Sequence, residues 1–420
     1  MQIKMKSKDK DIYTKIYMIL YCVCIASATI IRWMNYVNAL TAFVGIICII
    51  KTKKIRKEVL NFIWMIFIAM FPLLDAAIRG EAGLSLFTFL QYLPALLLLT
   101  IGLFDIVEYR KIWLQFIKGF AWLQIFGMLL SSLWNRIYIM IAWRVLGQWS
   151  YAVTGFTTDP TMVAYIVSMA IGIYCVEYIF EENKRNKETV FIFVKMVVMC
   201  YFLIETGKRS LLIATIVVLM LCVLMYATNS KKKFFSKIFV FPIIITVLGG
   251  ICILAYRAGY NNSFARIGGT IIGMKAGDDV SNMRSTWAEY LKMWSKGHEL
   301  FGIGWESFKH RILATPYYIV PNAHNVYKQI LCEEGYIGFL IFILILLATI
   351  IYSIKEVIVT KNKENKKLAI YAMYGVLFFI IYSYSGNAIY DSTIYLYFFG
   401  SVQLCSSVML ENKKDEKQMY

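Results

Sequence analysis

The sequence predicts an all-α protein with about 12 transmembrane helices and one large loop outside the cytoplasm, because apolar runs near bilayer length recur throughout. Hydrophobic residues occupy 59% of the 420 positions and charged residues only 17%, with a mean hydropathy of +0.61. Basic residues, moreover, are concentrated in a few short connections between the runs. These observations favour a polytopic integral membrane protein over two or three soluble domains.

The apolar runs define the predicted spans. We expect the first run, Ile16 to Ile31, to remain as a span, because no small-residue cleavage site follows it. Most connections are short, as is typical of antiparallel helices in a bundle. In chain order the predicted spans are residues 14–31, 36–50, 58–77, 84–103, 113–133, 160–180, 189–204, 210–228, 238–256, 335–354, 368–385 and 394–410.

Basic residues indicate the orientation of these spans. Residues 51–57 contain five lysines or arginines and Lys231 to Lys233 form another run, whereas short connections on the other side hold one or two. Because short cytoplasmic loops are enriched in lysine and arginine, both termini are predicted to be cytoplasmic in a multi-pass cell-membrane protein. The net charge of +18 is interpreted as anchoring to the lipid bilayer, and no nucleic-acid partner is expected.

Three regions follow from this topology: residues 1–256 with nine spans, the extracytoplasmic loop 257–334, and residues 335–420 with three spans and a cytoplasmic tail. Such a long loop is usually functional. Its segment from Val280 to Ser295 predicts an amphipathic helix. The apolar positions of that helix are Met283, Trp287, Leu291 and Trp294.

The end of the loop carries a turn and a helix start. Gly302-Ile303-Gly304 allows a tight backbone turn. Asn322 or Asn325 is predicted to cap the helix that continues into the next span. The nine cysteines lie in or beside apolar runs without metal-ligand spacing, so we expect buried thiols, no bound metal and no cofactor.

Three polar features are predicted to share the outer face: the turn from Thr206 to Ser210, Arg284 on the loop helix, and His324 with Asn325. A charged side chain at the bilayer centre costs about 2.5–3.5 kcal/mol, so charges held in a membrane protein require a partner or a water-filled cavity. An imidazole changes its charge near neutral pH, which makes His324 a candidate for proton transfer.

Several short motifs lie between residues 155 and 355. They are Asp159-Pro160-Thr161, Lys208-Arg209-Ser210, Arg284 to Trp287, Gly302-Ile303-Gly304, Asn322-Ala323-His324-Asn325, Glu334-Gly335 and Gly338. In order and spacing they resemble the superfamily of O-antigen ligases and Wzy-type polysaccharide polymerases. Thr161 and the lead-in Gly207-Lys208 depart from the family pattern, which leaves substrate details open more than the class of reaction.

This resemblance implies a glycosyltransferase that moves a glycan from a polyprenyl diphosphate to a hydroxyl group outside the membrane, without a required metal. By this resemblance, Arg209 and Arg284 correspond to the diphosphate-binding arginines of the family, and His324 corresponds to its catalytic histidine. We further predict that Lys208 assists Arg209 electrostatically and that Asn325 orients the imidazole or a sugar. The large loop is then expected to cap the active site.

Physical chemistry agrees with these roles. Breaking the anomeric C–O bond places negative charge on the diphosphate, and guanidinium groups bind phosphate bidentately while remaining charged. Such electrostatic stabilisation is usually the largest contribution to catalysis. The attacking sugar hydroxyl needs a proton acceptor, and general-base help is worth roughly 10²–10⁴ in rate.

The favoured activity is polymerisation of undecaprenyl-diphosphate-linked oligosaccharide repeat units into O-antigen, capsule or exopolysaccharide, with a chain-length regulator as a candidate partner. One alternative is a ligase that transfers a finished glycan to lipid or protein. The alternative of another class is a polysaccharide flippase, which would place ionisable residues at mid-bilayer. Here only Lys118, Lys195 and a few acidic residues, such as Asp75 and Glu177, approach the spans, which weighs against a transporter.

The site residues also have structural interpretations. Arg209 could be an interfacial anchor, Arg284 could form ion pairs on a solvated face, and His324 could pack at a helix start. His298 and His310 are interpreted as exposed loop residues. Glu333 and Glu334 are interpreted as structural residues at a helix mouth. Aromatic residues that could stack on sugar or cover the membrane surface are Trp287, Trp294, Tyr317 and Tyr318.

Overall fold

The structure is a computed structural model of the chain. It describes residues 7–27, 31–53, 55–79, 82–145, 154–157, 159–180, 186–227, 240–260, 262–276, 284–315 and 322–418. Within these ranges the regular secondary structure is helical and contains no strand. The all-α prediction is therefore confirmed for the described residues.

The helices are numbered in chain order, and each predicted span overlaps one of them. They are α1 (Ser7–Ala26), α2 (Ile31–Thr52), α3 (Val59–Arg79), α4 (Ala82–Ile101), α5 (Val107–Leu133), α6 (Asn135–Val145), α7 (Pro160–Phe180), α8 (Asn186–Glu205), α9 (Arg209–Ala227), α10 (Val240–Arg257), α11 (Ser263–Ala276), α12 (Arg284–Trp294), α13 (Ser307–Ile312), α14 (Val326–Val359), α15 (Lys363–Ser383) and α16 (Ser392–Gln418). Short 3-10 helices occupy Leu103–Asp105 and Ala388–Tyr390.

Seven described helices contain segments long and apolar enough to cross a membrane. These segments are Met34–Thr52, Val107–Leu133, Pro160–Phe180, Arg209–Tyr226, Val326–Val359, Lys363–Ser383 and Ser392–Lys414. Shorter apolar helices occupy Ile12–Ala26, Val59–Leu74 and Phe89–Asp105. The chain is thus a multi-pass membrane protein, while the number of twelve spans and the cytoplasmic placement of both termini stay predictions.

The chain divides into two compact units, one made of Met1–Phe116 with Thr286–Tyr420 and the other of Ile117–Ser285. In the first unit α3 packs against α4, α1 against α2, and α15 against α14 and α16. Its core is aromatic: the Trp64 ring meets Phe398 and Phe399 edge-on at 5.1 and 5.3 Å between centroids. The predicted division at residues 256 and 334 follows membrane topology and stays a prediction.

A buried arginine stabilises one end of the first unit. Arg110 is only 2% exposed, and its Nε donates to the carbonyl oxygen of Phe104. One of its terminal nitrogens lies 2.6 Å from Oε1 of Glu411. Because a buried charge is tolerated only with partners, this pair ties the start of α5 to the end of α16.

In the second unit α7 packs against α8 and α9, and α10 packs against α11. Thr215 on α9 donates to the Ser168 hydroxyl on α7 at 2.8 Å. The backbones of α10 and α11 approach so closely that a Cβ at Gly268 would overlap the carbonyl oxygen of Cys252. A glycine is therefore required at that crossing.

Candidate active site

The predicted loop helix is present as α12, which begins at Arg284 and ends at Trp294. The described residues do not include 280–283 or the side chain of Arg284. Tyr317 and Tyr318 also lie outside them. Trp287, Leu291, Ile303, Phe308, Ile312, Ala323 and Cys332 form a buried cluster, against which Trp294 packs. The apolar stripe of α12 therefore builds a core for the loop, an arrangement that neither sequence interpretation of Trp287 had included.

The second feature is a break in α14 at Gly335, where φ is 66° and ψ is −170°. In an unbroken α-helix, Tyr336 and Ile337 would donate their N–H groups to carbonyls four residues earlier. Here they donate instead to the carbonyl oxygens of Glu299 and Leu300, at 2.8 and 3.2 Å. The helix is therefore interrupted without loss of these backbone hydrogen bonds.

The carbonyls released at this break bind the Gly302-Ile303-Gly304 turn. Ile303 N–H donates to the carbonyl of Cys332 at 3.1 Å, and Gly304 N–H donates to that of Glu333 at 2.7 Å. A Cβ at Gly302 would overlap the Glu333 carbonyl, and one at Gly335 would overlap the Leu300 carbonyl. The two glycine motifs of the sequence thus form a single backbone contact, called here the 302/335 joint.

Glu333 is the polar centre of this region and is 0% exposed. Its Oε1 accepts hydrogen bonds from Phe308 N–H at 3.1 Å and Gln329 Nε2 at 3.0 Å. Its Oε2 accepts from Glu306 N–H at 3.1 Å and from the Tyr390 hydroxyl at 2.7 Å. Because these four donors come from three segments of the first unit, Glu333 has the structural role that was interpreted from its place at a helix mouth.

The turn that carries His324 is held by side chains from two directions. His324 has a left-handed backbone with φ of 51°, which is uncommon for a residue other than glycine. Its N–H donates to Oδ1 of Asn387 at 2.9 Å. The preceding N–H, of Ala323, donates to Oε1 of Gln329 at 3.0 Å, and Gln329 in turn donates to Glu333. The backbone of the candidate base is thus fixed by its surroundings.

The half-buried imidazole of His324 lies beside the indole of Trp287, with 5.3 Å between ring centroids and 32° between ring planes. Trp287 is 6% exposed, and its Nε1 has no hydrogen-bond partner among the described residues. Buried polar groups are nearly always satisfied. This indole N–H is therefore a donor that a bound oxygen atom next to His324 could satisfy.

Asn325 caps α14, because its Oδ1 accepts a hydrogen bond from Lys328 N–H at 3.0 Å. One of the two capping predictions is therefore confirmed. The predicted contact of Asn325 with the imidazole or a sugar stays a prediction.

The second part of the candidate site lies in the other unit, at the turn between α8 and α9. Lys208 Nζ lies 3.4 Å from Oδ1 of Asp159. The same carboxyl oxygen accepts from Thr161 N–H at 2.7 Å and so caps α7, with Pro160 in the first helical position. The Asp159-Pro160-Thr161 motif is thus a helix start that also positions Lys208.

Arg209 begins α9, and a terminal guanidinium nitrogen donates to Oγ1 of Thr270 on α11. The same helix carries Arg266, whose NH1 would lie 3.6 Å from a Cβ at Gly207. Thr270 also donates to the carbonyl oxygen of Arg266 at 2.9 Å. Three cationic side chains, including Lys208, therefore surround one turn.

These cations exceed the carboxylates that pair with them. Within the described ranges, neither Arg209 nor Arg266 forms an ion pair with a carboxylate, and the carboxyl of neighbouring Glu205 interacts with the Tyr201 hydroxyl. Like charges held together repel unless an anion lies near them. This cationic turn, defined by Lys208, Arg209 and Arg266, is therefore a candidate anion-binding site.

Sequence reasoning did not identify Arg266, Asn387, Gln329 or Tyr390. In the sequence, Arg266 follows a span as many interfacial arginines do. Only the packing of α11 beside the α8–α9 turn brings its guanidinium group close to Lys208 and Arg209. Lys208 and Arg209 lie in the second unit and His324 in the first. The convergence of Arg209, Arg284 and His324 in one cavity stays a prediction.

All nine cysteines are free thiols, and all but Cys200 are buried, as predicted from their apolar surroundings. In the part of the chain that the structure describes, no group of three or more His, Cys, Asp or Glu side chains could hold a metal ion.

Residues 194–343 match the family model described as O-Antigen ligase. This match confirms the resemblance inferred from the motifs and supports a membrane enzyme of the O-antigen ligase and polymerase type. The matched segment contains the cationic turn, Arg284, His324 and Asn325, whereas Asp159-Pro160-Thr161 precedes it. A comparison with curated proteins finds no match.

Proposed function

We propose that this protein is a membrane glycosyltransferase that polymerises undecaprenyl-diphosphate-linked oligosaccharide repeat units into a surface polysaccharide. The observation that carries the proposal is the family match over residues 194–343, which spans both the cationic turn and the His324 turn. In this proposal the growing chain is the glycosyl donor, and a fresh lipid-linked repeat unit is the acceptor.

On the donor side, Arg209, Arg284 and Lys208 bind the diphosphate, and Arg266 adds a fourth cation. When the anomeric C–O bond breaks, its electron pair moves to the diphosphate oxygen. The guanidinium groups stabilise this charge with hydrogen bonds that strengthen as the charge develops. The excess of cations over carboxylates at the turn supports this assignment.

On the acceptor side, His324 takes the proton of the sugar hydroxyl as its oxygen bonds to the anomeric carbon. The held backbone of His324 supports this role, because a general base must remain within hydrogen-bond reach of the proton that it removes. The Nε1–H of Trp287 supplies a donor for an acceptor oxygen beside the imidazole.

A ligase is the second candidate function, favoured by the description of the matched family. A reconstituted assay separates the two. Purified protein in liposomes receives lipid-linked repeat units only, with EDTA present, and products are resolved by length. Polymerase activity gives a ladder that the His324→Ala variant does not make, whereas reaction only after addition of a different acceptor identifies a ligase. Strict dependence on a divalent metal would contradict the assigned role of the arginines.

A further inference from the structure

Three charged side chains of the predicted spans meet in the second unit, away from the cationic turn. Lys118 on α5 forms an ion pair with Glu177 on α7, with 2.7 Å between Nζ and Oε1. Lys195 on α8 joins them, because Nζ of Lys118 and Nζ of Lys195 lie 5.5 and 5.6 Å from the centroid of the Tyr174 ring. Two cations and one carboxylate therefore share one aromatic side chain.

This cluster lies close to one membrane face. Glu177 is three residues before the end of α7, which corresponds to about 4.5 Å along a helix. Lys195 Nζ lies 4.1 Å from the centroid of the Phe191 ring, one turn nearer the start of α8. Since α7 and α8 are consecutive and pack together, the end of one and the start of the other lie at the same face. The Lys195 ammonium group is thus directed towards that face, and Lys118 contacts Glu177 near the end of α7.

The cluster carries an excess positive charge. Glu177 balances Lys118, but within the described residues no carboxylate forms an ion pair with Lys195. The exposed α8 side chains within one turn of Lys195 are apolar: Phe191, Val194 and Val197. A cation on such a surface requires a partner, and aromatic rings supply only about 0.5–1 kcal/mol at exposed sites.

We propose that Lys118 and Lys195 bind the phosphate headgroup of an anionic phospholipid in the leaflet where α7 ends. A phosphodiester supplies the second negative charge that the cluster lacks, and its acyl chains match the exposed apolar face of α8. The Tyr174 ring that both ammonium groups approach is held in place, because its hydroxyl accepts a hydrogen bond from Trp122 Nε1 at 3.1 Å. In the predicted topology this leaflet is cytoplasmic, where anionic lipids attract basic residues.

Native mass spectrometry of the full chain in mild detergent tests the site, with phosphatidylglycerol and phosphatidylcholine as probes. The wild type retains phosphatidylglycerol preferentially. Lys195→Gln weakens its binding about fivefold, the contribution of one basic residue at an anionic surface, whereas Lys195→Arg retains it. Glu177→Gln strengthens binding, because Lys118 then has no carboxylate partner and both lysines can interact with the phosphate. Lys292→Gln, which removes an exposed lysine on α12, leaves binding unchanged.

Other outcomes overturn the proposal. Wild-type retention of phosphatidylglycerol by Lys195→Gln would remove the lysine from the site. Loss of lipid in Glu177→Gln would mean that the ion pair is only structural. Displacement of phosphatidylglycerol by inorganic phosphate would assign the cluster to a free anion. Melting temperatures in phosphatidylcholine establish that each variant is folded. Since no glycan transfer is measured, the result does not depend on the proposed function.

Discussion

The backbone N–H of His324 donates to Oδ1 of Asn387 at 2.9 Å, although 63 residues separate them. Asn387 lies between α15 and α16, immediately before the short helix that ends at Tyr390. Tyr390 donates to Glu333, which also accepts from Gln329. The turn that carries the candidate base is therefore held by a hydrogen-bond network from α14 and from the segment between α15 and α16.

His324→Ala should reduce polymer synthesis by roughly 10²–10⁴, the usual contribution of general-base catalysis. Protein level and membrane insertion should be unchanged, since the half-buried ring is not part of the main helix packing. His298→Ala is the matched control, because His298 is an exposed loop residue, as interpreted from sequence. Normal long polymer from His324→Ala would exclude the imidazole from the mechanism.

Asn387→Ala should lower kcat by about 10- to 100-fold with a smaller change in KM, because a shift of the reacting group by about 1 Å can cost about 100-fold. Asn387→Asp should restore the rate, since a carboxylate oxygen can accept the same hydrogen bond. Steady-state kinetics on lipid-linked substrate measure both effects.

A purely structural asparagine provides the comparison for Asn387. Asn362 caps α15 by accepting hydrogen bonds from Glu364 and Asn365 N–H. Asn362→Ala should cost about 1 kcal/mol of stability without lowering kcat. If Asn387→Ala only lowered the melting temperature in the same way, Asn387 would not position His324.

Local features of this protein were predictable from sequence. Apolar runs located the helices, the spacing of Trp287 and Leu291 indicated α12, and Asn325 was one of two predicted caps. These features depend on residues within one or two helical turns, so the pattern that forms them is contiguous in the chain.

Contacts between remote segments were not predictable in this way. The 302/335 joint, the Arg266 guanidinium near Gly207 and the hydrogen bond between His324 and Asn387 all require knowledge of which segments pack together. Propensity and periodicity carry no such information. Arg266 in particular has no local signal, because its neighbours Ala265 and Ile267 form an ordinary apolar helix face.

Arg284→Lys should leave activity as low as Arg284→Ala, about 10²–10³ below wild type, the scale of losing one donor to a developing negative charge. Lysine keeps the charge but cannot present the planar, bidentate donor pair of a guanidinium. Arg311→Lys on α13 is the control, since Arg311 is exposed. Full activity of Arg284→Lys would favour the solvated-face interpretation of Arg284.

Arg266→Gln should raise KM for the lipid-linked donor about tenfold, because a hydrogen bond to a charged group contributes about 1.5–3 kcal/mol. The KM of the variant should also depend less on salt concentration, because salt screens the attraction between each cation and the diphosphate, and one of these cations has been removed. Arg257→Gln removes an exposed arginine at the end of α10 and should change neither quantity. An unchanged KM in Arg266→Gln would separate Arg266 from the diphosphate site.

The last prediction concerns the 302/335 joint. Gly335 has φ of 66° and ψ of −170°, a conformation essentially restricted to glycine, and a Cβ there would overlap the Leu300 carbonyl. Gly335→Ala should therefore destabilise the loop by about 3 kcal/mol or more, since conformational strain and overlap act together.

Gly297→Ala distinguishes these two causes. Gly297 has φ of 82°, but nothing lies within 4 Å of the position that a Cβ would occupy there, so only conformational strain of about 1 kcal/mol is expected. Limited proteolysis should cleave the loop faster in Gly335→Ala than in Gly297→Ala, and polymer synthesis should fall only in Gly335→Ala. Because Glu333 directly precedes the break at Glu334-Gly335, loosening of the joint should reach the His324 turn through Gln329. Equal protease resistance and activity of the two variants would mean that the joint does not support the His324 turn.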